Sequence, residues 1–425
     1  MDSTTDVSPA AARQSPATPG RARMILILGA MVALGPLTID MYLPALPKIA
    51  DELSVTSSVA QLTLTGTLAG LALGQLIVGP LSDSLGRRRP LMAGIVLHML
   101  ASVLCLFAPN IAVLGVARAL QGMGAAAAMV VAIAVVGDLF ADSVAATVMS
   151  RLMLVLGVAP VVAPSLGAAV LLYASWHWVF AVLVVLAGGL LLLAALALPE
   201  TLPVAHRRPL RVRGIAATYL ELLRDARFVI LVLVAALAMS GLFAYIAGAS
   251  FVLQGHYGLD QQVFALVFGA GAVALIGATQ FNVVLLKRFS PQVIVQWALV
   301  ASSVAGAVFV GLSVAQVGGL PGFVVPVWAI LAAMGLVIPN APAVALSRHP
   351  DAAGTAAALL GAAQFGIGAA VAPLVGVLGN GEVALALVMT TGVVIALLAL
   401  LAVGVSPTDS GADENVAPNA VAEPA

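Results

Sequence analysis

The sequence predicts an all-α polytopic membrane protein, with twelve transmembrane helices in two pseudo-symmetric six-helix bundles. Three observations carry that expectation. The composition is 62% hydrophobic and only 8% charged, against about 45–50% and 25% in a soluble domain, so the exterior itself must be apolar. Twelve apolar runs each approach the roughly 20 residues that cross about 30 Å of hydrocarbon as a helix. Every Lys and Arg except Lys48 and Arg118 falls on one side of the alternating connections or in the tails beside them, the asymmetry that marks the cytoplasmic face.

The apolar runs lie at 24–44, 59–80, 90–108, 111–136, 150–172, 178–198, 228–250, 263–285, 292–312, 323–343, 353–376 and 383–403. The third and fourth runs, and the fifth and sixth, are joined so tightly that they must pair antiparallel. Residues 199–227 begin PETLP, contain HRRPLRVRG and form the longest and most charged connection. They read as a cytoplasmic linker between an N-terminal bundle, 24–198, and a C-terminal bundle, 228–403. The two stretches are nearly equal in length, and each holds an even number of spans. Both therefore enter from the same face, the mark of a parallel internal repeat. Residues 1–23 and 404–425 are polar and rich in Pro, Ala, Ser or acids, and read as disordered cytoplasmic tails. Arg21 and Arg23 before the first run look like the start of a signal peptide. That run is too long for one and continues into LPALP, so it reads as an uncleaved first span.

Several function classes are excluded by what the chain lacks. The 18 acids and 18 bases cancel, which argues against a nucleic-acid partner. No phosphate-binding glycine loop, dinucleotide fingerprint or Cys/His metal spacing is present. No Ser/His/Asp set is backed by loops large enough to build a site. The reading is therefore of a non-enzyme with no catalytic residue, no metal and no cofactor. Energy must come from an ion gradient or from the substrate's own gradient. The single cysteine, Cys105, sits in an apolar run and reads as packing, as does His98.

Asp40 and Arg118 are the only formal charges well inside the apolar runs. An ionisable group at membrane depth costs several kcal/mol and is a functional candidate by default. Asp40 lies about 24 Å along the first span from the cytoplasmic edge, and Arg118 about 10 Å down the fourth from outside. Both thus fall in the outer half, at heights that allow contact. The plainer alternative places Asp40 in the external interface, starting the LPALP turn.

The stretch GPLSDSLGRRRP, residues 79–90, gathers four charges between two apolar runs. It resembles the loop 2–3 signature of the major facilitator superfamily, with Gly79, Asp83, Gly86, Arg87 and Arg88 in register. MYLPALPKIADEL, SWHWVF and GTAAALLGAAQFGIGA resemble the bicyclomycin-resistance branch of drug:proton antiporters in that superfamily. The resemblance implies the major facilitator fold across about 24–403. It also implies a conformational gate, in which Asp83 meets the amino-terminal end of span 11 and Arg87 bridges to Asp138. The bland alternative is a basic loop that only sets topology, which is how Arg89 reads. Ser84 stands where the family often has Arg.

Arg118 lies in RALQGMGAA, which is similar to the span 4 signature that the family links to proton coupling. Asp40 and Arg118 are accordingly expected to couple transport to protons. Burial disfavours the Asp40 charge, a nearby guanidinium favours it, and a moving helix switches the balance. Val32 stands where related exporters carry a further acid, which favours neutral substrates or one-proton exchange. Span 5, GVAPVVAPSLGAA, resembles the family's antiporter signature, with Ala159 and Ala163 at positions where glycine is common. Gly157, Pro160, Pro164 and Gly167 are expected to form a hinge, or else an ordinary membrane kink. Gln61, Thr65, Gln121, Tyr245, Asn340 and Gln364 are candidates for substrate contact, or for bonds between helices.

The function expected is secondary active multidrug efflux: cytoplasmic amphipathic compounds leave in exchange for external protons by alternating access. The alternative is a sugar or amino-acid exporter or facilitator of the same fold; a passive channel is the competitor from a different class. The expected partners are a small-molecule substrate, protons and the lipid bilayer, with no nucleic acid. The expected setting is a monomer in a bacterial cytoplasmic membrane, both termini inside.

Overall fold

The computed structural model describes residues 21–402 apart from Ala141, Arg208 and Leu210. The two expected tails lie outside the described residues, except that Arg21, Ala22 and Arg23 are helical and form the first turn of α1 rather than a disordered tail. The elements in order are α1 (Arg21–Asp40), α2 (Leu46–Glu52), α3 (Ser57–Leu85), α4 (Arg88–Leu106), α5 (Ile111–Leu139), α6 (Asp142–Tyr173), α7 (His177–Ala197) and α8 (Val212–Arg224). They continue with α9 (Ala226–Ser250), α10 (Gln261–Leu285), α11 (Pro291–Ala315), α12 (Gly319–Leu346), α13 (Ala353–Val377) and α14 (Glu382–Ala402). Twelve of these are long and apolar enough to span a membrane, and no strand occurs among the described residues. The expected span count and fold class are borne out.

Local chemistry sets the helix ends. Pro44 and Pro47 open short helical segments after Asp40, at first-turn positions where their missing N–H costs nothing. Thr56, Asn110, Asp225, Asp260 and Ser290 each cap a following helix with a side-chain oxygen. The helices outrun the apolar runs, α6 by eight residues at its start, because a helix continues past the hydrocarbon until a cap stops it.

The linker departs from the expected loop. Residues Val212–Arg224 form α8, since Ile215, Ala216, Tyr219, Leu222 and Leu223 recur at three- and four-residue spacing. Arg224 sits in its last turn, where the helix dipole favours a cation.

Close backbone approach joins the helices of the first bundle. A Cβ at Gly70 would collide with the Ala119 backbone, and one at Gly122 with that of Thr67. This α3–α5 seam therefore depends on residues without side chains. Large apolar residues such as Phe107, Val185 and Leu266 lie exposed on the outside, as a surface facing lipid requires.

The buried core is continuous at one end of the molecule and divided at the other. A single cluster runs from Tyr42, Leu64 and Phe180 of the first bundle to Phe243, Phe323 and Val375 of the second. At the end where α1 begins, two separate clusters serve the bundles, one around Met24, Val131 and Leu190, the other around Phe228, Val295 and Ala356. Hydrogen bonds follow the same division. Ser58 donates to Gly376 O at 2.8 Å, Ser250 to Leu43 O at 2.7 Å, and Gln61 to Ala247 O at 3.1 Å and Asn380 Oδ1 at 2.6 Å. All cross between bundles at the far end. At the basic end the described cross-bundle hydrogen bond comes from the linker, where Tyr219 donates to Leu76 O at 3.3 Å. The described hydrogen bonds between the two bundles' own spans thus lie at the far end.

Candidate functional site

The two intramembrane charges enter a buried polar cluster within the first bundle. Asp40 is 2% exposed and Arg118 fully enclosed, so Asp40 does not sit in an open interface. Arg118 Nη1 donates to Thr38 O at 2.9 Å and to Gln121 Oε1 at 2.5 Å. Its guanidinium carbon stands 4.5 Å from the centre of the Tyr42 ring, a cation–π contact that offsets part of its burial. No ion pair joins Asp40 to Arg118 among the described residues, although Arg118 acts electrostatically on Asp40. Asp40 Oδ1, Arg118 Nε and Arg118 Nη2 are all buried without hydrogen-bond partners. Each such group costs about 1–3 kcal/mol, which makes this cluster a functional candidate.

His98 belongs to the same cluster and does more than pack. Thr38 Oγ1 donates to Leu34 O at 2.6 Å, so its oxygen must accept from His98 Nε2, 2.8 Å away. That places the Nε2 proton toward Thr38 and leaves His98 Nδ1 buried without a partner. Gln121 Nε2 donates to Ser102 Oγ at 2.7 Å, and Ser102 Oγ to His98 O at 2.7 Å. Four helices therefore supply the cluster: α1, α3 (Thr63, bonded to Tyr42), α4 and α5. The sequence carries only one signal for His98, its position in an apolar run.

At the basic end, Gly86 turns the chain between α3 and α4 with φ +89°, and a Cβ there would strike Glu200 and Arg207. The turn aims Arg87 at two carboxylates. Nη1 meets Asp83 at 2.5 Å, Nε and Nη2 meet Asp138 at 2.8 and 3.2 Å, and Nη1 also donates to Ser82 at 2.9 Å. Burial opposes the Arg87 charge, but the bonds to Asp138 and Asp83 outweigh it and raise its pKa above the ordinary guanidinium value. Glu200 accepts the Arg87 N–H at 2.8 Å and the Arg88 N–H at 3.4 Å. PETLP, read as a boundary, thus supplies the turn's anchor.

The expected gate joins the halves when the protein opens outward and breaks when it opens inward; here Asp83 makes no hydrogen bond to 351–355 among the described residues, and its carboxylate is taken by Arg87 within its own bundle. Arg88 is tied to Ala195 O and Glu200. Gly79 has open space where a side chain would sit, so no close approach depends on it.

A family model described as Major Facilitator Superfamily matches residues 26–373. The chain belongs to that superfamily. A Bacillus subtilis protein named an uncharacterized MFS-type transporter, YdgK, is 38% identical over 89% of this chain and 95% of its own length. A bicyclomycin resistance protein homolog of Haemophilus influenzae is 32% identical over 83% and 88%. A chloramphenicol resistance protein of Pseudomonas aeruginosa is 32% identical over 80% of each. These relatives bear out the resemblance to the drug-resistance branch. Among solved structures, a D-xylose-proton symporter superposes with a TM-score of 0.66 at 15% identity, over 88% of this chain and 96% of that one. The partially occluded inward open xylose transporter XylE of E. coli gives 0.69 at 12%, over 90% and 97%; at these identities the likeness concerns the fold. This major facilitator is a multi-pass membrane transporter, not an enzyme.

Within this major facilitator, the six candidate substrate residues separate into two groups. Gln61 Nε2 is spent on the far-end seal while its Oε1 stays buried without a partner, Gln121 is spent on Arg118 and Ser102, and Asn340 Nδ2 on Asn282 Oδ1 at 2.7 Å. Helix-to-helix bonding wins for these three. Thr65 Oγ1 is buried and unpartnered, Gln364 is half-buried, and Tyr245 stacks on Phe268 with ring centres 5.0 Å apart. These three keep their polar ends uncommitted among the described bonds.

The span 5 residues lie in α6, which runs unbroken through Pro160 and Pro164. Gly157 faces Ile276 of the second bundle and Gly167 abuts the Met41 backbone, which places α6 between α1 and α10.

Proposed function

We propose that this major facilitator exports small amphipathic compounds from the cytoplasm in exchange for external protons. The observation that carries this reading is that Asp40 Oδ1 and the Nε and Nη2 of Arg118 are all buried without hydrogen-bond partners inside one bundle. A carboxylate that must be neutral in one state and charged in another has no permanent ion pair, because a tight pair would hold it ionised throughout the cycle. Arg118 is instead held by Thr38 O, Gln121 and the Tyr42 face, so it keeps its place whichever form Asp40 takes.

In this reading the basic end is cytoplasmic, the molecule is a monomer of a bacterial inner membrane, and the conformation described faces inward. Substrate enters between the separated core clusters toward Thr65, Tyr245 and Gln364. Opening at the far end breaks the Gln61, Ser58 and Ser250 bonds and admits protons to Asp40. One positive charge carried inward gains about 2.3 kcal/mol per 100 mV of membrane potential. The Arg87 bridge keeps the basic end of the first bundle rigid while the bundles rock, and α6 supplies the hinge. The names of the bicyclomycin and chloramphenicol resistance relatives support a drug-like substrate class.

The test is transport in proteoliposomes with a panel of antibiotics, sugars and amino acids, with and without an imposed pH gradient. Saturable antibiotic accumulation driven by the gradient is expected. Sugar or amino-acid flux alone, or flux indifferent to the gradient, rejects the proposal, and flux that does not saturate indicates a channel.

A further inference from the structure

Helix α8 is amphipathic, and its apolar face is only half used by the protein. Leu222 is buried at 1% exposure in the second bundle's core cluster, Ile215 is partly buried, and Tyr219 reaches Leu76 O of the first bundle. The neighbouring edge of the same face carries Leu220 and Leu223, exposed at 50% and 52%. At about 100° per residue, Arg213 stands roughly 20° beyond Leu220 around the helix, and Arg224 roughly 40°. Both arginines are exposed, and neither forms an ion pair among the described residues. Arg211 and Arg227 flank the helix, also exposed.

An edge of leucines bordered by unpaired arginines matches the interface between acyl chains and anionic headgroups. Water alone would leave the leucines costly, and a neutral apolar partner would leave the arginines unused. We propose that α8 is a binding surface for anionic phospholipid on the basic face of the membrane, with Leu220 and Leu223 in the acyl boundary and Arg213 and Arg224 on the phosphates. Because α8 touches Leu76 in one bundle and packs into the core of the other, lipid bound there reports to both halves.

The experiment places a fluorophore on α8 through Ala216→Cys in a Cys105→Ser background, Cys105 being the chain's single cysteine. The full-length labelled protein is reconstituted in phosphatidylcholine vesicles holding equal mole fractions of either brominated phosphatidylglycerol or brominated phosphatidylcholine. Brominated phosphatidylglycerol is expected to quench several-fold more strongly at low salt, each arginine near the surface contributing roughly a fivefold preference at most. That preference should shrink at high salt and in the Arg213→Gln/Arg224→Gln variant. Equal quenching by both lipids overturns the proposal, as does a preference that survives salt and the double substitution. Quenching by neither lipid places α8 against water or protein and also overturns it. The salt series uses unaltered arginines, so the inference remains exposed to refutation even if the variant misfolds.

Discussion

Arg118 Nη1 donates to the backbone oxygen of Thr38 and not to the carboxylate of Asp40, two residues further along the same helix. The cation is thereby anchored to main chain, and among the described residues it forms no ion pair with the acid. Replacing Asp40 with Asn keeps the shape and removes only the ionisation. Asp40→Asn should reduce pH-gradient-driven export to the level seen without a gradient, with an unfolding temperature equal to or above wild type. Retained gradient-driven transport in proteoliposomes rejects the proton role.

The two carboxylates on Arg87 differ in exposure: the Asp138 side chain is 15% exposed and that of Asp83 46%. Water screens the Asp83 pair, so Asp83→Asn should cost no more than about 0.5 kcal/mol. Asp138→Asn removes a two-pronged, largely buried contact and should cost roughly 2 kcal/mol. Thermal unfolding of the two variants in detergent gives the order; equal losses contradict it.

Gly86 carries a φ of +89° and is hemmed in by Glu200 and Arg207. Gly86→Ala adds about 1–2 kcal/mol of backbone strain and displaces the Glu200 carboxylate from the Arg87 and Arg88 amides. Gly79→Ala, with open space at its Cβ position, should be nearly neutral. Unfolding temperatures that fall equally for both substitutions refute the distinction.

Gln61 holds the far-end seal through Ala247 O and Asn380. Gln61→Ala forfeits two hydrogen bonds worth about 0.5–1.5 kcal/mol each, which favours opening at that end by at least roughly fivefold and up to about a hundredfold. A cysteine placed at Ala247, itself fully buried, should react with a membrane-impermeant maleimide that much faster in the variant. An unchanged labelling rate means the seal lies elsewhere.

Asp225 caps α9 and gathers Arg348 at 3.1 Å and His349 at 3.0 Å. Burial pushes its carboxyl up, but the Phe228 amide, Arg348 and His349 prevail and hold it below the ordinary 3.8. A depressed acid stabilises fully above its unfolded value and loses that contribution as pH falls through the folded one. Wild type should therefore outlast Asp225→Ala in thermal unfolding by a margin of about 1 kcal/mol that is constant near neutrality. The margin should shrink as the pH drops below the ordinary carboxylate range, because the ion pairs are lost while the neutral carboxyl can still accept from the helix amides. A margin that grows on acidification contradicts this.

The spans were legible because hydrocarbon imposes a length and a polarity that any twelve-helix chain must write into its composition. The turn at Gly86 and the Arg87 end of the bridge to Asp138 were legible because they lie within a short, charged signature; Asp138 itself lies in α5 and was named through the family resemblance. Glu200 was hidden, since its partners are more than a hundred positions away and PETLP resembles an ordinary span ending. The amphipathic helix in the linker was masked by the arginines around it. Gln61, Gln121 and Asn340 show the converse: a polar residue in a span advertises a need for a partner without saying whether that partner is ligand or helix.

Hydropathy and charge asymmetry along the chain determined the number of spans, their alternation and the two-bundle plan, because lipid acts on every residue independently of its neighbours in space. Only the tertiary structure decided that Asp40 and Arg118 share a cluster without pairing, that His98 faces it through Thr38, and that the described hydrogen bonds between the bundles' own spans lie at one end. Those are distances between helices, fixed by which small residues let backbones approach and which polar groups find each other, and a linear order of residues carries no such distances.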